Sequence, residues 1–91
     1  MDEKLTMSDG TEVAGHILPN GDNRLIFVYL DGMSIIDGFA LFSDPEKTKV
    51  IIARRYGTEK TYEGYTQLSS ISDEYGNCNI TMKRGDLNVE P

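Results

Sequence analysis

The chain has 91 residues, with nine Lys and Arg against fifteen Asp and Glu, a net charge of −6 and no Trp. With 38% apolar and 26% charged residues it falls outside the collagen-like, low-complexity and disordered classes, and its length allows one domain over residues 1–91. No apolar run approaches the ~18 residues of a membrane span, and the acidic start Met1-Asp2-Glu3-Lys4 does not read as a signal peptide, so the expected setting is the cytosol.

Glu3–Met7 and Thr11–Leu18 flank Ser8-Asp9-Gly10 as a hairpin. A two-residue loop would put Leu5 and Met7 on the face of Glu12 and Ala14. A three-residue loop with Gly10 left-handed pairs Met7 with Thr11 and Leu5 with Val13, and this register aligns the apolar residues. The turn-rich Pro19-Asn20-Gly21-Asp22-Asn23 leads into Arg24–Leu30, apolar on both faces and therefore expected to be central and covered on two sides. Ser34 is the expected cap of a helix, with Asp37 three residues on and Ile35, Ile36, Phe39, Ala40 and Phe42 as its apolar face. Gly38 weakens that helix by about 1 kcal/mol relative to Ala, which leaves a strand as the alternative.

Asp44-Pro45 restarts the chain, with Asp44 as cap and Pro45 in the first helical slot. Val50–Arg55 reads as a strand, and Thr61–Ile71 as another with Gly64 at a bulge or bend. Asp73-Glu74-Tyr75-Gly76 turns into Asn77–Arg84, where Cys78, Ile80 and Met82 share a face, and a short polar tail follows Arg84. The order β-β-β-α-β-β-β predicts an α+β, mostly β fold: an antiparallel sheet or small barrel of about six strands with one short helix.

Residues that carry chemistry are scarce. Cys78 is alone, so one chain holds neither a disulfide nor a thiol zinc site, and His16 is alone, which removes His-pair metal motifs. His16 is expected to be a structural or surface histidine and Cys78 to be a small core residue. The turn aspartates lack calcium-loop spacing, and neither a phosphate-binding glycine loop nor a G-x-S-x-G elbow is present. The expectation is a non-enzyme with no catalytic residue, no metal and no cofactor.

Charge is distributed unevenly. Residues 1–46 hold nine acids against two bases, a balance of −7, whereas residues 47–91 hold six acids and seven bases. Such a first half repels nucleic-acid phosphates and attracts a protein partner with a basic surface. The candidate contacts are Asp22, Asp31, Asp37 and Asp44. A second candidate cluster is Arg54-Arg55-Tyr56 with Lys60, Tyr62 and Tyr65, in which Arg54, Tyr62 and Tyr65 could anchor an interface. The alternative is that both tyrosines pack at the core edge while the arginines neutralise nearby acids.

Three stretches carry a resemblance: Phe39-Ala40-Leu41-Phe42-Ser43-Asp44-Pro45-Glu46-Lys47-Thr48, Thr61-Tyr62-Glu63-Gly64-Tyr65-Thr66-Gln67-Leu68 and Gly76-Asn77-Cys78-Asn79-Ile80-Thr81-Met82. In layout they resemble the small acidic, β-rich uncharacterised proteins of phages and prophages of Gram-positive bacteria. The resemblance implies short genes lying among virion-assembly or anti-defence genes, and it carries over no binding residue. The expected function is a non-enzymatic protein-binding module of a phage or mobile element. Its concrete form is an inhibitor of a host defence effector, such as a CRISPR nuclease, acting through an acidic surface in the host cytoplasm. The alternative is a virion head, neck or tail component or assembly factor, which would form homo-oligomers.

Overall fold

The computed structural model describes residues 3–19 and 24–85. The elements are β1 (Lys4–Thr6), β2 (Glu12–Pro19), β3 (Leu25–Leu30), α1 (Ile35–Phe42), α2 (Pro45–Thr48), β4 (Val50–Arg55), β5 (Thr58–Glu63), β6 (Tyr65–Ser72) and β7 (Cys78–Arg84). The strands form one antiparallel sheet in the order β5-β4-β1-β2-β3-β7-β6, with the helices inserted between β3 and β4. The mostly β, α+β fold read from the sequence is the fold observed, with seven strands where about six were expected. Asp22 lies outside the described residues, as does the tail beyond Gly85.

The first hairpin has the expected register. Leu5 faces Val13, the Met7 amide donates to the Thr11 carbonyl at 2.8 Å, and Gly10 has φ +92°. The turn is tied down from outside as well. The Ser8 hydroxyl donates to the Val50 carbonyl at 3.0 Å and accepts from the Val50 amide at 2.7 Å. Asp9 accepts from the Thr11 amide at 3.0 Å and from Lys47 Nζ at 3.1 Å.

β2 belongs to both halves of the sheet. Its residues Glu12–Ala14 pair with β1, and from Gly15 to Pro19 it pairs with β3. The backbones are close at the changeover, where a Cβ on Gly15 would lie 2.3 Å from the Tyr29 carbonyl oxygen. The far ends of the sheet also meet. β5 and β6 close the two ends of the strand order, yet Gly64 alone separates them in the chain. One residue spans only about 7 Å between its neighbours' Cα atoms, so the sheet is rolled with its ladder left open. The single strand expected over Thr61–Ile71 is therefore two strands, because Gly64, at φ +78° with its amide on the Lys49 carbonyl, forms a corner.

The inside of the roll is the core, built from Leu5, Ile17, Ile26, Val28, Leu30, Ile51, Cys78, Ile80 and Met82 together with Phe42 from α1. β3 alternates within this wall. Ile26, Val28 and Leu30 are buried, whereas Leu25, Phe27 and Tyr29 are half-buried on the outside, so the expectation of two covered faces is corrected. The helices cover only the inner side.

Ser34 caps α1, its hydroxyl accepting from the Asp37 amide at 3.2 Å, and Asp44 caps α2 by accepting from the Glu46 amide at 3.0 Å. The apolar face of α1 differs from the expected one. Gly38 and Phe42 are buried and Ile35 and Leu41 half-buried, while Ile36, Phe39 and Ala40 point to solvent. The reason is Gly38 itself. A Cβ there would stand 2.5 Å from Cys78 Sγ and 3.2 Å from Leu30 Cδ1, so only glycine lets the helix settle this close to β7 and β3. The residue that lowers helix propensity decides which face turns inward.

Replacing Gly38 with Ala is expected to destabilise the fold by about 1–3 kcal/mol through overpacking, although Ala favours the helix. Denaturant unfolding measures this, and Cys78→Ala in the same chain is expected to recover part of the loss. Asp9 gives a pH signature. Its hydrogen bonds from Thr11 and Lys47 lower the carboxyl to about 2. A carboxylate depressed by folding stabilises above its unfolded pKa and loses that contribution as pH falls through the folded value. The melting temperature of Asp9→Asn is therefore expected to lie below the parent's at pH 6, with the gap closing between about pH 4 and pH 2.

Candidate functional site

Glu3, immediately before β1, holds together three separate segments. Its carboxylate oxygens lie 2.8 Å from Arg55 Nε on β4 and 3.0 Å from His16 Nδ1 on β2. Neither contact lies along a hydrogen-bonding direction, so the one to Arg55 acts through charge and the one to His16 is a close approach. The Glu3 carbonyl accepts from the Gly15 amide at 3.2 Å, and His16 stacks on Tyr29 with ring centroids 5.1 Å apart.

Beside this hub runs an open groove of about 750 Å³ lined by Glu3, Lys4, Glu12, Ala14, Asp31 and Tyr56. Three of these are acids. Glu12 pairs with Lys4 at 3.3 Å, with both side chains about half exposed. Asp31 is placed by its own amide, which donates to the Ala14 carbonyl at 3.0 Å as β3 ends. It is exposed and joins no ion pair among the described residues. The acids do not converge on a point, and no group of three or more metal-ligating side chains gathers among the described residues.

Tyr56 forms one rim of the groove at the tip of the β4–β5 hairpin. Arg55 pairs with Thr58, so Tyr56 and Gly57 are the two loop residues, at φ +53° and +82°. That tight turn favours Asn or Gly, and a tyrosine in it is strained by about 1 kcal/mol or more. The residue is 66% exposed, with the Arg55 guanidinium carbon 5.2 Å from the ring centroid.

The other candidate residues are dispersed. Asp37 lies in the first turn of α1 and Asp44 caps α2, 3.8 Å from Lys47. Arg54 is exposed and held by Glu59, whose carboxylate raises its already high pKa. Tyr62 and Tyr65 are 7% and 5% exposed, edge to face with centroids 5.9 Å apart. Lys60 lies over one ring and Arg84 over the other. The two tyrosines are core residues at the corner that joins the ends of the sheet, which agrees with the second of the two readings of them, packing at the core edge. Cys78 is fully buried between Gly38 and Leu30, and burial pushes its thiol pKa up.

The charge asymmetry of the sequence is partly cancelled by the topology. β4 lies against β1, so Glu3 meets Arg55, and Lys47 reaches both Asp9 and Asp44. An acidic surface that stays open among the described residues is the Glu12–Asp31 groove, where three carboxylates stand against Lys4. Of its residues the sequence reading singled out Asp31. Glu12 gave no local signal, because its place in the groove depends on where β2 and β3 part. Tyr56-Gly57 between two charged strands was the available sign of an exposed aromatic tip. No protein-family model, no curated protein and no solved structure matches the chain.

Proposed function

We propose that the chain is a non-enzymatic protein-binding module that presents the Glu12–Asp31 groove, with the Tyr56 ring at its rim, to a basic surface of a partner protein. The observation that carries the reading is Asp31, an exposed acid without an ion pair among the described residues, facing an open groove with two further carboxylates. Acids of this kind steer a basic partner during encounter, and an exposed aromatic beside them supplies contact area at low entropic cost. Given the resemblance in layout to phage proteins, the partner we favour is a host defence effector with a nucleic-acid-binding surface, met in the host cytoplasm.

The test begins with capture from host lysate and identification of the bound protein by mass spectrometry. Association kinetics are then measured for the parent, Asp31→Lys, Glu12→Lys and Tyr56→Ala. Each charge reversal is expected to slow association and to weaken its salt dependence, with stability unchanged to within about 0.5 kcal/mol for Asp31→Lys and somewhat lowered for Glu12→Lys, which sets a lysine beside Lys4. Tyr56→Ala is expected to weaken binding by roughly tenfold, mainly through faster dissociation. Binding indifferent to salt and to all three substitutions overturns the reading.

A further inference from the structure

We infer that a hollow between β2 and the β4–β5 hairpin is a binding site for a small aromatic monocarboxylate. In that hairpin Ile51 pairs with Tyr62, Ala53 with Lys60 and Arg55 with Thr58. Residues two apart on a strand share a face, and Ile51 and Tyr62 belong to the core. Ala53, Lys60, Arg55 and Thr58 therefore continue the inner face of the roll towards the hairpin tip. Along it the lining changes from apolar to cationic.

A hollow of about 250 Å³ opens at this change. Ile17, Ala53 and Tyr62 supply its apolar lining, His16 closes it on the β2 side, and Tyr56 stands at the tip. Ala53 makes the room, because a methyl group stands between the inward positions of Ile51 and Arg55. A benzene ring needs roughly 150 Å³, so one ring with a small substituent fits. Lys60 Nζ lies 5.4 Å from the Tyr62 ring centroid, and the Arg55 guanidinium carbon lies 5.2 Å from that of Tyr56. Arg55 and Lys60 are diagonal neighbours across the strands, roughly 7–8 Å apart at Cα, so both long side chains can meet one anion.

Charge selects the ligand. Arg54 alternates to the other face, where it pairs with Glu59. Arg55 is balanced by Glu3 at 2.8 Å, yet its Nε is buried without a hydrogen-bond partner. Lys60 is exposed and joins no ion pair among the described residues. No acid among the described residues lines the hollow, which leaves Lys60 as its uncompensated charge. A cationic ligand would face Lys60, and a dianion would exceed the single surplus charge. A carboxylate is the monoanion that a guanidinium and an ammonium can share, and the apolar lining suits a ring attached to it. An inward cation on an edge strand also discourages pairing with another chain, but that role asks for no apolar hollow beside it. The site shares Tyr56 with the acidic groove, and the inference does not rest on the groove having a partner.

The test is a titration of the isotopically labelled full chain with benzoate, read from amide chemical shifts, with benzamide, benzylamine and acetate as comparison probes. Benzoate is expected to give saturable shifts at millimolar concentration, centred on residues 53–60. Each of the other probes is expected to bind roughly tenfold more weakly or worse. Lys60→Met is expected to weaken benzoate about tenfold, and Lys60→Arg to restore it. Ala53→Leu, which fills the hollow, is expected to abolish binding. Lys49→Met removes the same charge from an exposed position after α2 and is expected to leave binding intact. If a variant fails to fold, the ranking of the probes on the unaltered chain decides. Shifts that do not saturate or that centre elsewhere, benzamide or acetate equal to benzoate, or an affinity indifferent to Lys60→Met overturns the inference. No partner protein enters the titration, so its failure is distinguishable from failure of the groove reading.

Discussion

At Gly15 the backbones of β2 and β3 come so close that a Cβ would stand 2.3 Å from the Tyr29 carbonyl oxygen and 3.2 Å from the Leu30 Cα. Here β2 stops pairing with β1 and starts pairing with β3, while the Gly15 amide still reaches the Glu3 carbonyl. One strand thus serves two half-sheets. The roll that follows brings β5 and β6 near enough for Gly64 to join them, and it turns Tyr62 and Tyr65 inward as the packing of that corner. The helices then cover the inner side, seated by the contact of Gly38 with Cys78.

The same changeover shapes the surface. Where β2 leaves β1, the end of β3 places Asp31 beside Ala14, and the groove that Asp31 and Glu12 both line opens beside the Glu3 hub. Glu3 ties this region together through its ion pair with Arg55 and its close contact with His16, drawing together β1, β4 and β2. Half-exposed pairs of this kind contribute little individually. Their value here is positional, because they hold the Tyr56 hairpin against one wall of the groove. The other exposed surface, α1 with β6, owes its apolar character to Gly38, which turns Ile36 and Phe39 away from the core.

Much of the local structure was legible in the sequence because it depends on near neighbours. The Ser8-Asp9-Gly10 loop follows from apolar register, the Ser34 and Asp44 caps from side-chain chemistry, and the burial of Cys78, Ile80 and Met82 from alternation. What stayed hidden depends on contacts between distant segments. Gly64 in a run of strand-forming residues suits a bulge as well as a corner, and only the rolled sheet makes it a corner. Gly38 reads locally as a weakness, since its contact with Cys78 spans forty positions of sequence. The acidic first half looked like one surface, but pairing of β1 with β4 sets Arg55 beside Glu3, Lys4 pairs with Glu12, and Asp31 is left unpaired among the described residues at the groove. Asp31 was visible as a candidate, while Glu12 and Tyr56 joined it only through the fold.

The most direct measurement compares the unfolding free energies of Gly15→Ala and Gly10→Ala. A Cβ at Gly10 meets nothing within 4 Å, so its substitution tests the left-handed turn alone and is expected to cost about 1 kcal/mol. At Gly15 the added methyl meets the backbone of β3, which has no rotamer to yield. If the changeover organises the fold, Gly15→Ala costs roughly 2–4 kcal/mol and exposes the amides on both sides of β2 to exchange. A cost no greater than that of Gly10→Ala, with exchange in β1 and β3 unaltered, would contradict the account.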